Sequence, residues 1–139
     1  MYRKLLVAND GSPGGAKALA CGLELARLLD VGLTMICVEE LPRFPVSIGE
    51  VAEAQADAAT AFEKIVASAA TLAQAERVAL DSHVVLGRPA PRIIEFARRG
   101  RYNLLIVGYR GHSALYNQII GSTTRRLVEL APCKVMIAK

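Results

Sequence analysis

The chain alternates short, continuously apolar runs with longer stretches in which apolar residues recur at helical spacing. Five apolar runs predict β-strands, and four periodic stretches between them predict α-helices. Apolar strands that alternate with helices are typical of a parallel sheet covered on both faces. The pattern therefore predicts one α/β domain over residues 1–139, built on an open five-stranded sheet. The expected strands are residues 5–8, 33–38, 82–86, 104–107 and 135–138.

Capping residues, glycines and prolines predict where the helices begin and end. Ser12 and Pro13 are suited to the N-cap and first turn of the first helix, and Gly32 is its expected stop signal. The second helix is expected from about Glu50, the third after Gly87-Arg88-Pro89 as far as Gly100, and the fourth from Ser122 to Pro132. Two core-facing sets are expected on the second and fourth helices: Ala58, Phe62, Ile65, Val66, Ala69, Leu72 and Ala73, and then Thr124, Leu127, Val128 and Ala131.

Composition narrows the class of protein. With 139 residues, 53% of them hydrophobic, the chain can bury one real core. No apolar run approaches the 18 or so residues of a membrane-spanning helix, and the N-terminus lacks the features of a signal peptide. Three cysteines without metal spacing suggest reduced thiols in apolar packing. A cytoplasmic location, without membrane insertion, is expected by elimination.

The net charge of +4 suits an anionic ligand but does not require nucleic acid. The late arginines are interleaved with acidic and apolar helix positions, and Tyr102 alone lies near them for stacking on bases. We therefore expect no nucleic-acid partner.

A glycine-spaced stretch carries the most specific chemistry. Gly108 and Gly111 follow the apolar run 104–107, and Gly121 precedes Ser122 and Thr123 at the start of a helix. Glycines allow a close backbone approach to an anion, and a helix N-terminus attracts one. The stretch predicts a phosphate site. A loop with an ordinary serine cap is the alternative that spacing alone leaves open.

A second loop has the chemistry to complete a nucleotide site. If the strand order is 3-2-1-4-5, the order reverses between strands 1 and 4, where open α/β sheets bind ligands. The loop that begins at Asn9 would then meet the glycine loop. Asp10 could accept hydrogen bonds from ribose hydroxyls, form an Asx-turn, or do both. His112 could contact phosphate or face solvent. Arg125 and Arg126 lie in the first turns of the last helix, where a bound phosphate would favour them; a solvated surface pair is the alternative.

Signals for catalysis are missing from the sequence. There is no Walker GK[ST] element, no His–Asp/Glu cluster with metal-site spacing, and no Ser or Cys visibly paired with a base. We therefore expect no catalytic residues, no dedicated metal ligands and no enzymatic function; a slow ATPase is the alternative.

Several segments resemble the universal stress protein family, and the resemblance extends over essentially the whole chain. They are residues 7–12, 87–89, 105–113, 121–123 and 131–135, and the Gly-x2-Gly-x9-Gly-Ser/Thr spacing matches that family's ATP-binding signature. The resemblance implies sheet order 3-2-1-4-5 and a nucleotide-dependent sensor or switch in stress response. Two departures are Asn103, where the family often has Asp, and Lys134, where it often has Pro.

The resemblance also implies a ligand and partners. The ligand would be ATP, ADP or AMP, with Mg²⁺ as the usual partner of phosphate oxygens. The implied partners are a second copy, often through the last strand Val135–Ala138, and an unidentified protein; a nucleotide-free dimeric interaction module is the alternative. In the implied site Asp10 binds ribose and the backbone of Val38 recognises adenine. The full predicted nucleotide-binding set is Ala8, Asn9, Asp10, Val38, Gly108, Arg110, Gly111, His112, Gly121, Ser122 and Thr123.

Overall fold

A computed structural model describes residues 1–40, 47–110 and 120–139. Five strands and four helices alternate along the chain, as the hydrophobic pattern predicts. The strands are β1 Leu5–Ala8, β2 Leu33–Glu39, β3 Leu80–Leu86, β4 Leu104–Gly108 and β5 Lys134–Ala138, and the helices are α1 Pro13–Leu29, α2 Ile48–Glu76, α3 Pro89–Arg99 and α4 Ser122–Leu130.

All strand pairs are parallel, and the order is β3-β2-β1-β4-β5. This confirms the predicted sheet. Leu5 in β1 is in register with Leu33 of β2 on one side and with Leu104 of β4 on the other. The strand order therefore reverses at β1, and a crevice opens between the carboxyl ends of β1 and β4.

Helices cover both faces of the sheet, as predicted. On one face α1 and α2 pack over a core that includes Leu5, Leu33 and Ile106. On the other face α3 and α4 pack over a second core that includes Leu6 and Leu105. The alternation of neighbouring residues between the two cores is what a strand buried on both faces requires.

The start of α1 follows its sequence signals, but its end does not. Ser12 caps the helix through its side chain, and Gly11 before it has φ +80°, a conformation that favours glycine. The helix ends at Leu29, and Asp30 is its left-handed C-cap. The prediction of Gly32 as the stop signal was wrong, because an aspartate here takes the conformation that glycine usually provides.

The helix α2 is longer than predicted. It begins at Ile48, where Ser47 and Glu50 form a reciprocal capping box. The strand β3 likewise begins two residues before its predicted start, at Leu80. Two residues predicted to face the core, Leu72 and Val128, are each 50% exposed, because both lie at the margin of their helix's apolar stripe. In the described ranges, no helix is both long and apolar enough to cross a bilayer.

Candidate functional site

A cavity of about 480 Å³ lies at the crevice between β1 and β4. The carboxyl ends of β1, β2 and β4 form its floor, and the starts of α3 and α4 approach it from one face of the sheet. This is the place at which open parallel sheets bind ligands, and the volume suits a small molecule.

The cavity brings together nine of the eleven residues that the sequence predicts for a nucleotide site. The remaining two, Gly111 and His112, lie outside the described residues. Three strands and one helix therefore deliver the predicted residues to a single place. The nine are Ala8, Asn9, Asp10, Val38, Gly108, Arg110, Gly121, Ser122 and Thr123.

Side-chain hydrogen bonds fix the loop after β1. The Oδ1 atom of Asn9 accepts from the backbone N–H of Gly11 at 3.0 Å. The Oδ1 atom of Asp10 accepts from the backbone N–H of Ser12 at 3.0 Å and from its hydroxyl. In turn, Ser12 Oγ accepts from the N–H of Gly15 at 3.1 Å. The Asx-turn interpretation of Asp10 is thus confirmed, and the turn holds the carboxylate at the cavity wall.

The two ends of the glycine loop are tied together at their base. The N–H of Gly121 donates to the carbonyl of Tyr109 at 2.9 Å. The hydroxyl of Thr124 donates to the carbonyl of Gly108 at 2.7 Å, and Thr124 is itself buried. The N–H of Tyr109 donates to the carbonyl of Ala138 at 3.1 Å, which anchors the loop to β5. The start of α4 is therefore fixed directly above the end of β4.

Close packing against α1 gives Gly108 a structural role that the sequence analysis did not foresee. A Cβ atom on Gly108 would lie 2.5 Å from the carbonyl oxygen of Gly14 and 2.9 Å from its Cα. A Cβ atom on Gly14 would strike the carbonyl oxygen of Arg110. Paired glycines therefore let the first turn of α1 contact the beginning of the glycine loop, and the need for glycine at 108 does not depend on a ligand.

The start of α4 differs from that of α1 in its cap. The N-cap of α4 is Gly121, which has no side chain to accept from the first-turn N–H groups, whereas Ser12 caps α1. The alternative of a serine cap at Ser122 is therefore wrong, because Ser122 is the first helical residue. The hydroxyl-bearing residues Ser122 and Thr123 line the cavity, whereas Arg125 and Arg126 are exposed and do not.

The sequence analysis missed several residues of the cavity wall. Phe62 reaches it from α2, Glu40 follows β2, and Pro89 opens α3. The position of Glu40 after a strand and of Pro89 at a helix start could have indicated that they lie near the site. Phe62 offered no such indication, because its helical spacing assigned it only to the core face of α2. The full missed set is Gly15, Ile36, Glu40, Phe62, Pro89, Ile93, Val107, Thr124 and Leu127.

Electrostatics near Asp10 affect a buried thiol. Burial raises the pKa of Cys37 from 9.0 to about 11, and the negative charge of Asp10 adds to the effect. Burial also raises the pKa values of Cys21 and Cys133. The thiol of Cys37 is therefore protonated at neutral pH and suited to packing. Among the described residues, no cluster of three or more His, Cys, Asp or Glu side chains could hold a metal ion.

The chain matches the model of the Universal stress protein family over residues 1–139. It is 29% identical over 148 residues to Universal stress protein YxiE of Bacillus subtilis, and the match covers both chains completely. It is also 29% identical over 141 residues to a universal stress protein of Thermus aquaticus, again over the full length of both. The chain belongs to the universal stress protein family.

Solved structures share the fold. The universal stress protein UspA from Lactobacillus plantarum has a TM-score of 0.88 at 23% identity, with 99% of this chain and 98% of that chain covered. A universal stress protein in complex with cAMP has a TM-score of 0.77 at 20% identity, with 99% and 97% covered. The Archaeoglobus fulgidus universal stress protein in complex with dAMP has a TM-score of 0.68 at 21% identity, with 99% and 98% covered.

Proposed function

We propose that this universal stress protein binds an adenine nucleotide in the cavity between β1 and β4 and acts as a nucleotide-dependent switch. One observation carries the proposal: a single cavity at the switch point is lined by Asp10, Val38 and the start of α4. The complexes of similar proteins with cAMP and dAMP support the adenine part of the proposal.

Each part of a nucleotide finds matching chemistry along the cavity. The ribose hydroxyls donate to the carboxylate of Asp10, which the Asx-turn already orients. The adenine lies near the end of β2, where Val38 offers its backbone and Ile36 and Ile93 provide apolar walls.

The phosphates lie at the start of α4. Ser122 and Thr123 add hydroxyl groups to the positive end of the helix dipole, and Arg110 adds a positive charge to the wall. Contacts of Gly111 and His112 with the phosphates are also predicted, and both residues lie outside the described ranges. ATP, ADP and AMP share the adenosine contacts, and Mg²⁺ would accompany the longer phosphate chains through their oxygens.

We infer that the protein holds nucleotide as a signal rather than as a substrate. The described residues of the cavity include no lysine that could serve as the Walker lysine, although Asp10 and Glu40 add carboxylates to its wall. Occupancy then biases the conformations around the cavity and the binding of a protein partner. We propose the cytoplasm as its location and a homodimer through Val135–Ala138, which lies at an edge of the sheet.

Isothermal titration calorimetry with ATP, ADP, AMP and cAMP tests the proposal. Asp10→Ala removes the ribose acceptor and is expected to weaken binding at least tenfold, since hydrogen bonds to a charged group contribute about 1.5–3 kcal/mol. The matched control Asp57→Ala removes an exposed carboxylate from α2 and should leave affinity unchanged. The absence of binding at millimolar nucleotide by a folded sample would refute the proposal.

A second variant tests the phosphate end. Gly121 has φ −61° and ψ 147°, a conformation that a β-branched residue adopts readily. Gly121→Val should therefore leave the backbone unstrained while it places a side chain where phosphate binds, and nucleotide binding should be lost. If the affinity of Gly121→Val for nucleotide were unchanged, the phosphates would not bind at the start of α4. Turnover that disappears in Asp10→Ala would instead support the slow ATPase.

A further inference from the structure

The strand β3 forms a free edge of the sheet. Its inner side pairs with β2, and among the described residues no strand pairs with its outer side. At about 3.3 Å per residue its seven residues present roughly 23 Å of backbone donors and acceptors. Natural proteins usually protect such edges with lysine, proline or short length. The strand β3 is seven residues long and contains neither lysine nor proline, and its exposed carboxylate, Asp81, pairs with His83 of the same strand at 2.8 Å.

Two exposed apolar side chains flank this edge on the face of the sheet opposite α3. Val84 and Leu86 are 44% and 48% exposed. They alternate with Val85, which packs in the core beneath α3, so they lie on the opposite face. An unprotected edge with exposed apolar neighbours has the features of a binding surface for an extended chain.

A groove of about 390 Å³ runs beside the edge on the α3 face. Its aromatic wall consists of Phe96 and Tyr102, which are stacked with ring centroids 5.8 Å apart. His83 of β3 extends this wall, with its ring centroid 5.0 Å from that of Phe96. The groove can therefore accept alternate side chains of a strand paired with β3.

The groove has an excess of positive charge. Arg92 and Arg99 both pair with the carboxylate of Glu95, at 3.2 Å and 3.0 Å. The Nε atom of Arg92 is buried and has no hydrogen-bond partner among the described residues. Two further exposed arginines lie nearby in the chain: Arg98 in the last turn of α3 and Arg101 just after its C-cap. Glu95 and, on β3, Asp81 supply two carboxylates against these four guanidinium groups, so the surface keeps a net positive charge and suits an acidic occupant.

We propose that the β3 edge and its groove bind an extended acidic segment of another protein by strand addition. Backbone hydrogen bonds to β3 provide the affinity. Carboxylates on one face of the added strand reach Arg92 and Arg99, while apolar side chains on its other face contact Val84 and Leu86.

A second copy of this chain fits the edge less well. Antiparallel pairing of two β3 strands about a two-fold axis would place both α3 helices on the same face, side by side. The two arginine-rich surfaces would then meet, and like charges in contact are destabilising. RNA would match the charge but cannot form the ladder of backbone hydrogen bonds.

Fluorescence anisotropy with the full chain tests the proposal. The probe is a labelled heptapeptide of alternating glutamate and valine, and the comparison peptide has lysine in place of glutamate. Arg99→Glu should weaken binding of the acidic peptide about fivefold, which is the upper end of the range for an exposed charge pair. The matched control Arg27→Glu also reverses an exposed arginine that pairs with a glutamate, and its effect should stay below twofold.

Backbone NMR shifts locate the peptide. Shifts confined to residues 80–86 and to the groove would support strand addition. Equal binding of the lysine peptide, equal effects of the two arginine variants, or shifts on β5 would overturn the proposal. Preference for an oligouridylate RNA, or a dimer that Arg99→Glu dissociates or strengthens in sedimentation, would also overturn it. Nucleotide affinity is measured in parallel, and its retention in Arg99→Glu separates this proposal from the proposed function.

Discussion

The helices α1 and α4 begin on opposite faces of the sheet and line the same cavity, but their N-termini are built differently. At α1 the backbone N–H groups of Gly11, Ser12 and Gly15 donate to the side chains of Asn9, Asp10 and Ser12, respectively. At α4 the cap is a glycine, and the loop base is held by backbone bonds and Thr124. The first N-terminus is satisfied by its own chain, whereas the second has a glycine as its N-cap and presents hydroxyls to the cavity.

This difference separates two tasks within one site. The α1 side supplies rigidity, because its polar groups have fixed partners before any ligand arrives. In the proposed site the α4 side binds phosphate, because its glycine N-cap has no side chain to compete for the first-turn N–H groups. Apart from Asp10, to which the proposed function assigns the ribose, substitutions on the α1 side should therefore change stability first, and substitutions on the α4 side should change affinity first.

The largest loss of stability is expected from a substitution that disrupts the contact between Gly14 of α1 and the backbone of Arg110. Gly14→Ala places a Cβ atom against the carbonyl of Arg110, which is backbone and cannot rotate away. We expect a loss of about 3 kcal/mol or more in the free energy of unfolding, at the upper end of overpacking costs. Urea denaturation followed by circular dichroism measures the loss.

A glycine in open surroundings provides the control for that substitution. The nearest atom to a Cβ on Gly49 is Ser47 Oγ at 4.0 Å, so Gly49→Ala should be neutral or stabilise α2 by up to about 1 kcal/mol. Similar urea midpoints for Gly14→Ala and the unmodified protein would show that the two sides are not in tight contact.

The pH dependence of the free energy of unfolding tests the surroundings of Asp10 on the α1 side, and its expected size is intermediate. The pKa of Cys37 is about 11 in the folded protein and 9.0 without the fold's influence. The unfolded chain therefore loses this proton first. The stabilisation from the protonated thiol is complete below pH 9 and is lost as the pH rises towards 11, a decrease on the order of 2 kcal/mol.

The comparison of Cys37→Ala with the unmodified protein isolates this titration from those of other groups. The stability difference between the two proteins should narrow from pH 8 to pH 11 in urea titrations. The control Cys21→Ala removes a partly exposed thiol and should change much less with pH. Parallel stability curves for Cys37→Ala and the unmodified protein would contradict the expectation.

The smallest expected changes in stability and affinity come from replacing one serine at the start of each helix. Ser12→Ala removes the cap of α1 and should lower the free energy of unfolding by about 1 kcal/mol. Ser122→Ala removes a hydroxyl from the cavity and should leave stability within about 0.5 kcal/mol while it weakens ATP binding about fivefold. Thermal denaturation measures the stability of each variant, and calorimetry measures its affinity for ATP. A larger stability loss in Ser122→Ala than in Ser12→Ala would reverse the assignment of the two sides.

Much of the fold could be predicted because the sequence signals were local and strong. The central strands β1 and β4 are apolar throughout, and Ser12-Pro13 marks the start of α1 without ambiguity. The errors arose where tertiary packing decides. Leu72 and Val128 have helical spacing that suits the core, but the neighbouring elements do not cover them. The capping box at Ser47 and Glu50 was visible in the sequence as S-x-x-E and could have corrected the start of α2.

The candidate site was less predictable than the fold. Motifs identified the two loops, and the reversal of strand order brought them together. The sequence alone could not show that Phe62 of α2 reaches the cavity, because its spacing is also that of a core residue. Nor could it show that Gly108 is required by the backbone of Gly14, since close approaches between distant segments leave no local signal.

The register of β1 with β4 has a consequence for how the protein reaches its native state. Leu5 pairs with Leu104, so the central pair of the sheet joins positions about a hundred residues apart, and closure of so long a loop is entropically costly. Helices can form earlier from local contacts, but the two halves of the cavity meet only after β4 has been synthesised and has docked beside β1. Acquisition of the proposed nucleotide binding, rather than of helical signal, would then mark the completion of folding, because a nascent chain that ends before residue 104 lacks the β4 wall of the cavity.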